Sequence, residues 1–232
     1  MEQLRIIAVL ASAYLVGAVP TAYLAGRFAK DIDIRRYGSG NVGASNAGRH
    51  LGRRYFVLVV IFDFAVKGAC MALLPRALGL GIEAQAVAGL LAAIGHNWSP
   101  YIGFSGGRGL AVTTGALLAL SWQMCAVSVA LGTVFGKAFH QMGLWSGIAV
   151  ALLPLWAWVF GEPPAMLWYS LATIAMTALK RLLSNPGTAA PGLTWRQKAL
   201  PRLLFDRDTW EAGDWVSRAP EDIPPPDGPK EG

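Results

Sequence analysis

Long apolar runs constrain the fold of this chain more than any other feature of its sequence. A helix needs about 20 mostly apolar residues to cross a bilayer, and residues 4–26 provide such a run. Further runs cover residues 55–74, 82–94 with an optional extension to 98, 110–139, 144–160 and 165–182. The 110–139 run is too long for one untilted span, so we divide it at the polar interruption at residues 121–123. The pattern predicts an all-α, polytopic membrane protein of about seven transmembrane helices.

Composition supports a membrane protein. The chain is 54% hydrophobic and 15% charged, whereas soluble domains carry about 25% charged residues. The first run is interpreted as a retained span, because Glu2 offsets Arg5 and the run is longer than the apolar part of a signal peptide.

The distribution of basic residues predicts the orientation. Residues 27–54 and the segment after the last span are rich in Lys and Arg, while the turn near Pro75 holds only Arg76 and the turn near Glu162 holds none. Cytoplasmic loops collect Lys and Arg, so the basic segments are expected on the cytoplasmic side. This bias accounts for the net charge of +6, and no nucleic-acid partner is expected.

Beyond residue 184 the character of the chain changes. We expect a transmembrane domain over residues 1–184 and a cytoplasmic tail over residues 185–232. Residues 194–215 mix aromatic, aliphatic and basic side chains, which suits either an amphipathic segment on the inner leaflet or an irregular tail. The prolines and charges of residues 219–232 predict disorder.

The first polar segment with chemical potential runs from Gly38 to Arg49. Glycines allow backbone N–H groups to approach a ligand closely, Ser and Asn supply hydrogen bonds, and an Arg guanidinium suits phosphate. We interpret the segment as an anion-binding loop. A flexible surface loop is the alternative.

A second glycine-rich segment, residues 95–109, ends in Gly106-Gly107-Arg108-Gly109 immediately before an apolar helix. The N-terminus of that helix would carry partial positive charge towards a bound anion. The spacing is not that of a Walker loop, so ATP hydrolysis is not expected. We expect the two loops to share one pocket.

Ionisable residues inside the predicted spans are the remaining candidates. Asp63 and Lys67 are four residues apart and would share a helix face, either as a structural ion pair or as part of the site. His96 would act as an acid or base, or cap backbone carbonyls at the end of its span. Neither the cysteines nor the histidines have metal-ligand spacing, and no serine-hydrolase elbow is present in the sequence.

At these residues the chain resembles a known family, the bacterial acyl-phosphate:glycerol-3-phosphate acyltransferases or PlsY family. One family signature reads approximately Gly-Ser-Gly-Asn-x-Gly-Ala-x-Asn-x-x-Arg, and residues 38–49 match every fixed position. Another reads approximately Gly-His-x-x-Pro-x-x-x-x-Phe-Lys-Gly-Gly-Lys-Gly. Residues 95–109 match it with Ser105 and Arg108 in place of the lysines and with Pro100 one place later. Residues 63–68 also resemble the family's second span.

The resemblance implies a seven-helix fold in the bacterial plasma (inner) membrane, with the active face cytoplasmic. It implies transfer of a fatty acyl group from acyl phosphate to the 1-hydroxyl of glycerol 3-phosphate, giving lysophosphatidic acid and phosphate without metal or cofactor. The expected partners are these two substrates and membrane lipids. The catalytic candidates are Ser39, Asn41, Asn46 and Arg49. The substrate-binding candidates are Gly38, Gly40, Gly43, Lys67, His96, Gly106, Gly107, Arg108, Gly109 and Arg181.

The third family signature departs from the pattern. Its His and Asn, three residues apart, fall at Ala175 and Ala178, while its Arg is retained as Arg181. The glutamate expected after Gly187-Thr188 is replaced by Ala189. Two alternatives therefore stay open: a non-catalytic or altered-substrate paralogue that binds these anions, and a small transporter that uses Asp63 and Lys67.

Overall fold

The computed structural model describes residues 2–185 and 193–210, which form helices joined by short loops. Within these ranges the extended pairing is limited to an isolated bridge between Ser99 and Ser105, so the predicted all-α fold class is confirmed. The predictions about Ala189 and about residues 219–232 lie outside the described residues.

The helices of the first half of the chain follow the apolar runs. Pro20 separates the first two helices, because proline supplies no backbone N–H. A π-helical stretch, Phe62–Cys70, continues α4 into α5, and 3-10 turns occupy Ile34–Arg36 and Pro100–Ile102. The helices are α1 (Glu2–Gly17), α2 (Thr21–Lys30), α3 (Ala44–Leu51), α4 (Arg53–Ile61), α5 (Met71–Ala77) and α6 (Ile82–Asn97).

The second half confirms the predicted division at residues 121–123. Ser121 is extended, and its Oγ accepts a hydrogen bond from the backbone N–H of Met124, which caps the next helix. The π-helical stretch Leu131–Phe135 joins α8 to α9. The helices are α7 (Leu110–Leu120), α8 (Trp122–Ala130), α9 (Gly136–Ala138), α10 (Met142–Ala151), α11 (Leu153–Val159), α12 (Pro164–Leu183) and α13 (Trp195–Phe205).

Length and hydropathy identify the helices that are able to cross a membrane unaided. Within the described residues these are Glu2–Lys30, which combines α1 and α2, and Arg53–Ala77, which combines α4, the π-helical stretch and α5. The pair α10 and α11, bent by 44°, makes a third if it is counted as one span. Large apolar side chains are exposed along these helices, for example Leu4, Leu58 and Trp158, as expected for surfaces that face lipid. The count of about seven spans stays a prediction.

Glycines bring the helices into close contact. A Cβ at Gly17 would lie 2.2 Å from the carbonyl oxygen of Ala92, and one at Gly95 would lie 2.2 Å from that of Tyr14, so α1 and α6 touch backbone to backbone. Gly68 and Gly115 bring the π-helical stretch Phe62–Cys70 equally close to α7. Helices in lipid gain little from apolar burial and associate through such small residues.

The tail contains a docked helix. The α13 helix begins with a capping box between Thr194 and Gln197, buries Pro201 and Arg202, and exposes Trp195. Residues 195–205 are therefore helical and not irregular. Contact of this helix with the inner leaflet and the division of the chain at residue 184 stay predictions.

Candidate active site

The two glycine-rich loops lie against each other. The backbone N–H of Val42 donates to the carbonyl oxygen of Gly106 at 3.2 Å. Before the first loop, Arg35 Nη1 donates to the carbonyl oxygen of Ile102 at 3.1 Å. Although partial burial raises the pKa of Asp33, the hydrogen bonds from Arg35 lower it overall, so this carboxylate stays charged and holds the arginine. The two loops, whose bonded residues Val42 and Gly106 lie 64 positions apart in sequence, thus form one structural unit.

Asn46 keeps the first loop folded. Its buried Nδ2 lies within hydrogen-bond distance of the carbonyl oxygens of Ile34 at 3.1 Å, Tyr37 at 2.9 Å and Asn41 at 3.1 Å. Gly38 and Gly40 have φ angles of 53° and 65°, a region that favours glycine. The amide nitrogen of Asn46 therefore serves the shape of the loop and does not reach the second loop.

The other predicted catalytic residues surround the open N-terminus of α3. Ser39 is partly exposed, and its Oγ accepts a hydrogen bond from Asn41 N–H at 3.4 Å. Asn41 Oδ1 is buried without a hydrogen-bond partner in the described residues. Arg49 is exposed, and its guanidinium makes no hydrogen bond or ion pair with the described residues. With Gly43 as N-cap, the first turn of α3 leaves backbone N–H groups unpaired beside these side chains.

His50 is a neighbour of this loop with a neutral ring. Partial burial lowers its pKa, and the positive charges of Arg49 and Lys30 lower it further. Its ring centroid lies 5.4 Å from that of Tyr37. His50 therefore adds no positive charge to the first loop at neutral pH.

The second loop packs too tightly for side chains. A Cβ at Gly106 would lie 2.3 Å from the carbonyl oxygens of His96 and Asn97, and one at Gly107 would lie 1.9 Å from His96 Nε2. The N–H of Gly106 donates to Asn185 Oδ1 at 3.2 Å, and that of Gly107 donates to the carbonyl oxygen of His96 at 3.0 Å. These two predicted ligand donors are used inside the protein. The open amides are those of the first turn of α7, which Gly109 precedes with a φ of 73°.

A buried charge network includes His96, against which the second loop packs. Lys67 Nζ lies 2.7 Å from Asp63 Oδ1, 3.0 Å from Thr21 Oγ1 and 3.3 Å from His96 Nδ1. The predicted Asp63–Lys67 pair is thus present within one helix. An ammonium group only donates, so His96 Nδ1 accepts and the ring proton lies on Nε2, which faces Gly107.

Asn185 is a central residue that the sequence did not indicate. Its Nδ2 donates to the carbonyl oxygens of Gly40 at 3.0 Å and Gly106 at 2.9 Å. Its Oδ1 accepts from Gly106 N–H and, at 2.8 Å, from Lys180 Nζ. Lys180 is itself buried and donates to the carbonyl oxygen of Asn97 at 2.5 Å. One amide therefore joins both loops to the end of α12.

Arg181, a predicted substrate-binding residue, does not contact the glycine-rich loops. Arg181 donates to the carbonyl oxygens of Leu203 at 2.7 Å and Gly143 at 2.8 Å, and it makes no hydrogen bond to either loop. It therefore holds α13 against α10.

Asn97 has a fully buried amide with no hydrogen-bond partner in the described residues, next to Gly109. A buried amide without a partner is costly, which marks this position as a place for a polar ligand atom or water.

Arg108 is the predicted site residue with the most defined position. Its Nη1 donates to the carbonyl oxygen of Lys180 at 2.9 Å, and its Nε lies 2.9 Å from Asp206 Oδ1. Its side chain is only 11% exposed. The guanidinium therefore stands at the junction of the second loop, α12 and the segment after α13.

The helical fold and these paired loops define the class of protein: a multi-pass membrane protein in which two glycine-rich loops pack against each other. The chain belongs to the glycerol-3-phosphate acyltransferase family, whose sequence profile, described as Glycerol-3-phosphate acyltransferase, matches residues 7–187. The resemblance seen in the two loop signatures is thereby confirmed, and the chain belongs to a family of enzymes.

Curated relatives agree with this assignment. The chain is 36% identical over 211 residues to Glycerol-3-phosphate acyltransferase 5 of Dehalococcoides mccartyi, covering 88% of this chain and 90% of the relative. It is 41% identical over 180 residues to Glycerol-3-phosphate acyltransferase 2 of Moorella thermoacetica, covering 75% of this chain and 87% of the relative.

Solved structures agree as well. The fold is similar to crystal structures of PlsY (YgiH), an integral membrane glycerol 3-phosphate acyltransferase. The glycerol 3-phosphate form matches with a TM-score of 0.68 and 29% identity over 76% of this chain and 88% of that one. The lysophosphatidic acid form matches with a TM-score of 0.69 and 28% identity over the same shares.

Proposed function

We propose that this protein transfers a fatty acyl group from acyl phosphate to the 1-hydroxyl of glycerol 3-phosphate, giving lysophosphatidic acid and inorganic phosphate. The observation that carries the proposal is the junction of the two glycine-rich loops through Val42, Gly106 and Asn185. A transfer between two phosphate-bearing molecules needs two anion sites side by side, and each loop precedes a helix N-terminus.

The chemistry requires little beyond positioning. The substrate hydroxyl oxygen attacks the acyl carbonyl carbon, the bond from that carbon to the phosphate oxygen breaks, and phosphate leaves. The hydroxyl proton passes to a phosphate oxygen of the substrate. Two held reactants and preorganised donors supply most of the acceleration in such a scheme, which calls for neither a metal nor a cofactor.

The site residues have different tasks in this proposal. Ser39, Asn41 and Arg49, with the first turn of α3, hold the acyl phosphate group, while Asn46 shapes their loop. Arg108 and the first turn of α7 hold glycerol 3-phosphate. Gly106 and Gly107 allow the loop to pack, and Lys67 and His96 support it from below.

An apolar cavity of about 240 Å³ lies between α10, α12 and α13. Arg181 is its charged lining residue, and Ala178 also lines it. We assign this cavity to part of the acyl chain. Ala178, at the position of the family's Asn, then adds apolar surface, while Lys180 and Asn185 supply polar groups to the loops.

The protein is proposed to lie in the bacterial inner membrane with both loops facing the cytoplasm, where glycerol 3-phosphate is available. The basic residues of these loops favour this orientation. Asp63 and Lys67 bond to each other and to Thr21, which favours a structural role over a transport path. Relatives named as acyltransferases argue against the non-catalytic alternative.

A substrate assay tests the proposal. Purified protein in lipid, given acyl phosphate and glycerol 3-phosphate, should release lysophosphatidic acid and phosphate in equal amounts. Arg49→Ala should lower kcat/KM by at least about a hundredfold, because a charge-assisted phosphate contact in the transition state is lost. Arg76→Ala removes an exposed arginine outside both loops and should leave activity unchanged. Folded wild-type protein that forms neither product would refute the proposed function.

A further inference from the structure

We propose that Asp206 is a positioning residue for glycerol 3-phosphate, acting through Arg108. The inference rests on the proposed function and concerns a part of the chain that lies beyond the family match, which ends at residue 187. Asp206 thereby brings a carboxylate to Arg108 from outside the matched region.

Asp206 lies at the C-terminal end of α13, which is fixed to the rest of the protein by several hydrogen bonds. It ends α13 with a φ of 59°, and its N–H donates to the carbonyl oxygen of Arg202 at 3.0 Å. The buried Arg202 pairs with Asp208 at 2.5 Å and donates to the carbonyl oxygen of Leu182 at 2.7 Å. Arg181 fastens the same helix end through Leu203. These contacts fix the position of the Asp206 carboxylate, so the segment after α13 is a permanent part of the fold and not a movable lid.

The carboxylate holds one side of the Arg108 guanidinium. Nε lies 2.9 Å from Asp206 Oδ1, and Nη1 donates to the carbonyl oxygen of Lys180 at 2.9 Å. The contact with Asp206 is an ion pair without hydrogen-bond geometry, so the guanidinium is fixed by one hydrogen bond and one ion pair. Its Nη2 remains to donate to a phosphate oxygen. The lysine that the family signature has at this position is a point charge without such an edge, so the arginine and Asp206 work as a pair.

The negative charge of Asp206 also reduces the repulsion between Arg108 and Lys180. Lys180 Nζ is buried and its hydrogen bonds go to Asn97 and Asn185, which carry no charge. Arg108 lies against the backbone of Lys180, and its positive charge acts on the buried Lys180 ammonium, so the two cations repel each other. The negative charge of Asp206 offsets their repulsion and keeps Arg108 from turning towards solvent.

The test replaces Asp206 by Asn, which keeps size and tolerates the left-handed backbone but removes the charge. We expect KM for glycerol 3-phosphate to rise about tenfold, with a smaller change in KM for acyl phosphate, because only one phosphate site loses its oriented donor. Asp31→Asn is the matched control, since Asp31 also ends a helix with a left-handed φ of 52° but is exposed at the end of α2. The control should leave both KM values and the melting temperature unchanged.

Two further variants show whether the effect acts through Arg108. Asp206→Glu keeps the carboxylate and should stay within about threefold of the wild-type KM. In an Arg108→Lys background, Asp206→Asn should change KM far less than in the wild type, which gives a measurable coupling between the two positions. An unchanged or lowered KM in Asp206→Asn, a Glu variant as impaired as the Asn variant, or additive effects in the double variant would each overturn the inference. Wild-type turnover, measured first, separates these outcomes from a failure of the proposed function.

Discussion

Asn185 connects the two loops and the end of α12 through the four hydrogen-bonding positions of one amide. Each partner is itself buried or part-buried, so the amide of Asn185 supplies hydrogen bonds that water would otherwise have to provide. Asn46 stabilises the first loop internally, whereas Asn185 joins the first loop to the second.

Removing this amide tests its importance. Asn185→Ala leaves the carbonyl oxygen of Gly40, both backbone groups of Gly106 and the ammonium of Lys180 short of a partner. Each orphaned buried group costs about 1–3 kcal/mol, so we expect lower thermal stability in detergent together with a fall in kcat/KM. Gln3→Ala, which removes an exposed amide from α1, should change neither. Retention of wild-type stability by Asn185→Ala would show that the loops hold together without it.

At the scale of helices, the contact between α7 and the π-helical stretch Phe62–Cys70 positions the second loop. Gly68 and Gly115 allow the two backbones to touch. The same π-helical stretch carries Asp63 and Lys67, and the N-terminus of α7 follows Gly109. A shift between these two elements would therefore move the charge network and the N-terminus of α7 relative to each other.

Gly115→Ala tests this contact. A Cβ there would lie 1.9 Å from the carbonyl oxygen of Phe64, so α7 must shift, and overpacking of this kind costs about 1–3 kcal/mol. We expect a lower melting temperature and a higher KM for glycerol 3-phosphate. Gly132→Ala is the control, because its nearest heavy atoms are 3.8 Å away. Equal behaviour of the two variants would contradict the assigned role of the contact.

At the scale of the whole molecule, polar site residues from distant parts of the chain collect at one end of the helical bundle. The loops, the end of α12 and the segment after α13 contact one another there. Exposed aromatic residues such as Trp195 and Trp210 lie on the same tail segment. This arrangement suits a reaction in which one substrate comes from water and the other from lipid.

Orientation is open to direct measurement by cysteine labelling. Ser45→Cys introduces an exposed thiol in α3, and Ala77→Cys introduces one at the end of α5. A membrane-impermeant thiol reagent should label Ser45→Cys only from the cytoplasmic side and Ala77→Cys only from the opposite side, because the helix Arg53–Ala77 separates the two positions. The parent protein with Cys70 and Cys125 provides the background. Labelling of both variants from the same side would contradict the predicted topology.

The sequence determined the helical class, the break near Ser121 and the two loops, because apolar runs and glycine-rich segments are local patterns that need no knowledge of partners. It also indicated the Asp63–Lys67 pair, since both residues lie on one helix face. It placed Arg181 at the site on the basis of a matching signature, although its hydrogen bonds go to Gly143, Ser146 and the end of α13.

Only the tertiary structure decided which distant groups meet. Asn185 bonds Gly40 across 145 positions, and Asp206 reaches Arg108 from beyond the family match. No periodicity marks such partners, because their contact depends on how α12 and α13 pack against the loops and not on the residues beside them in the chain. Hydropathy marks the helices that are able to cross a membrane, but close packing determines the contacts of each polar side chain.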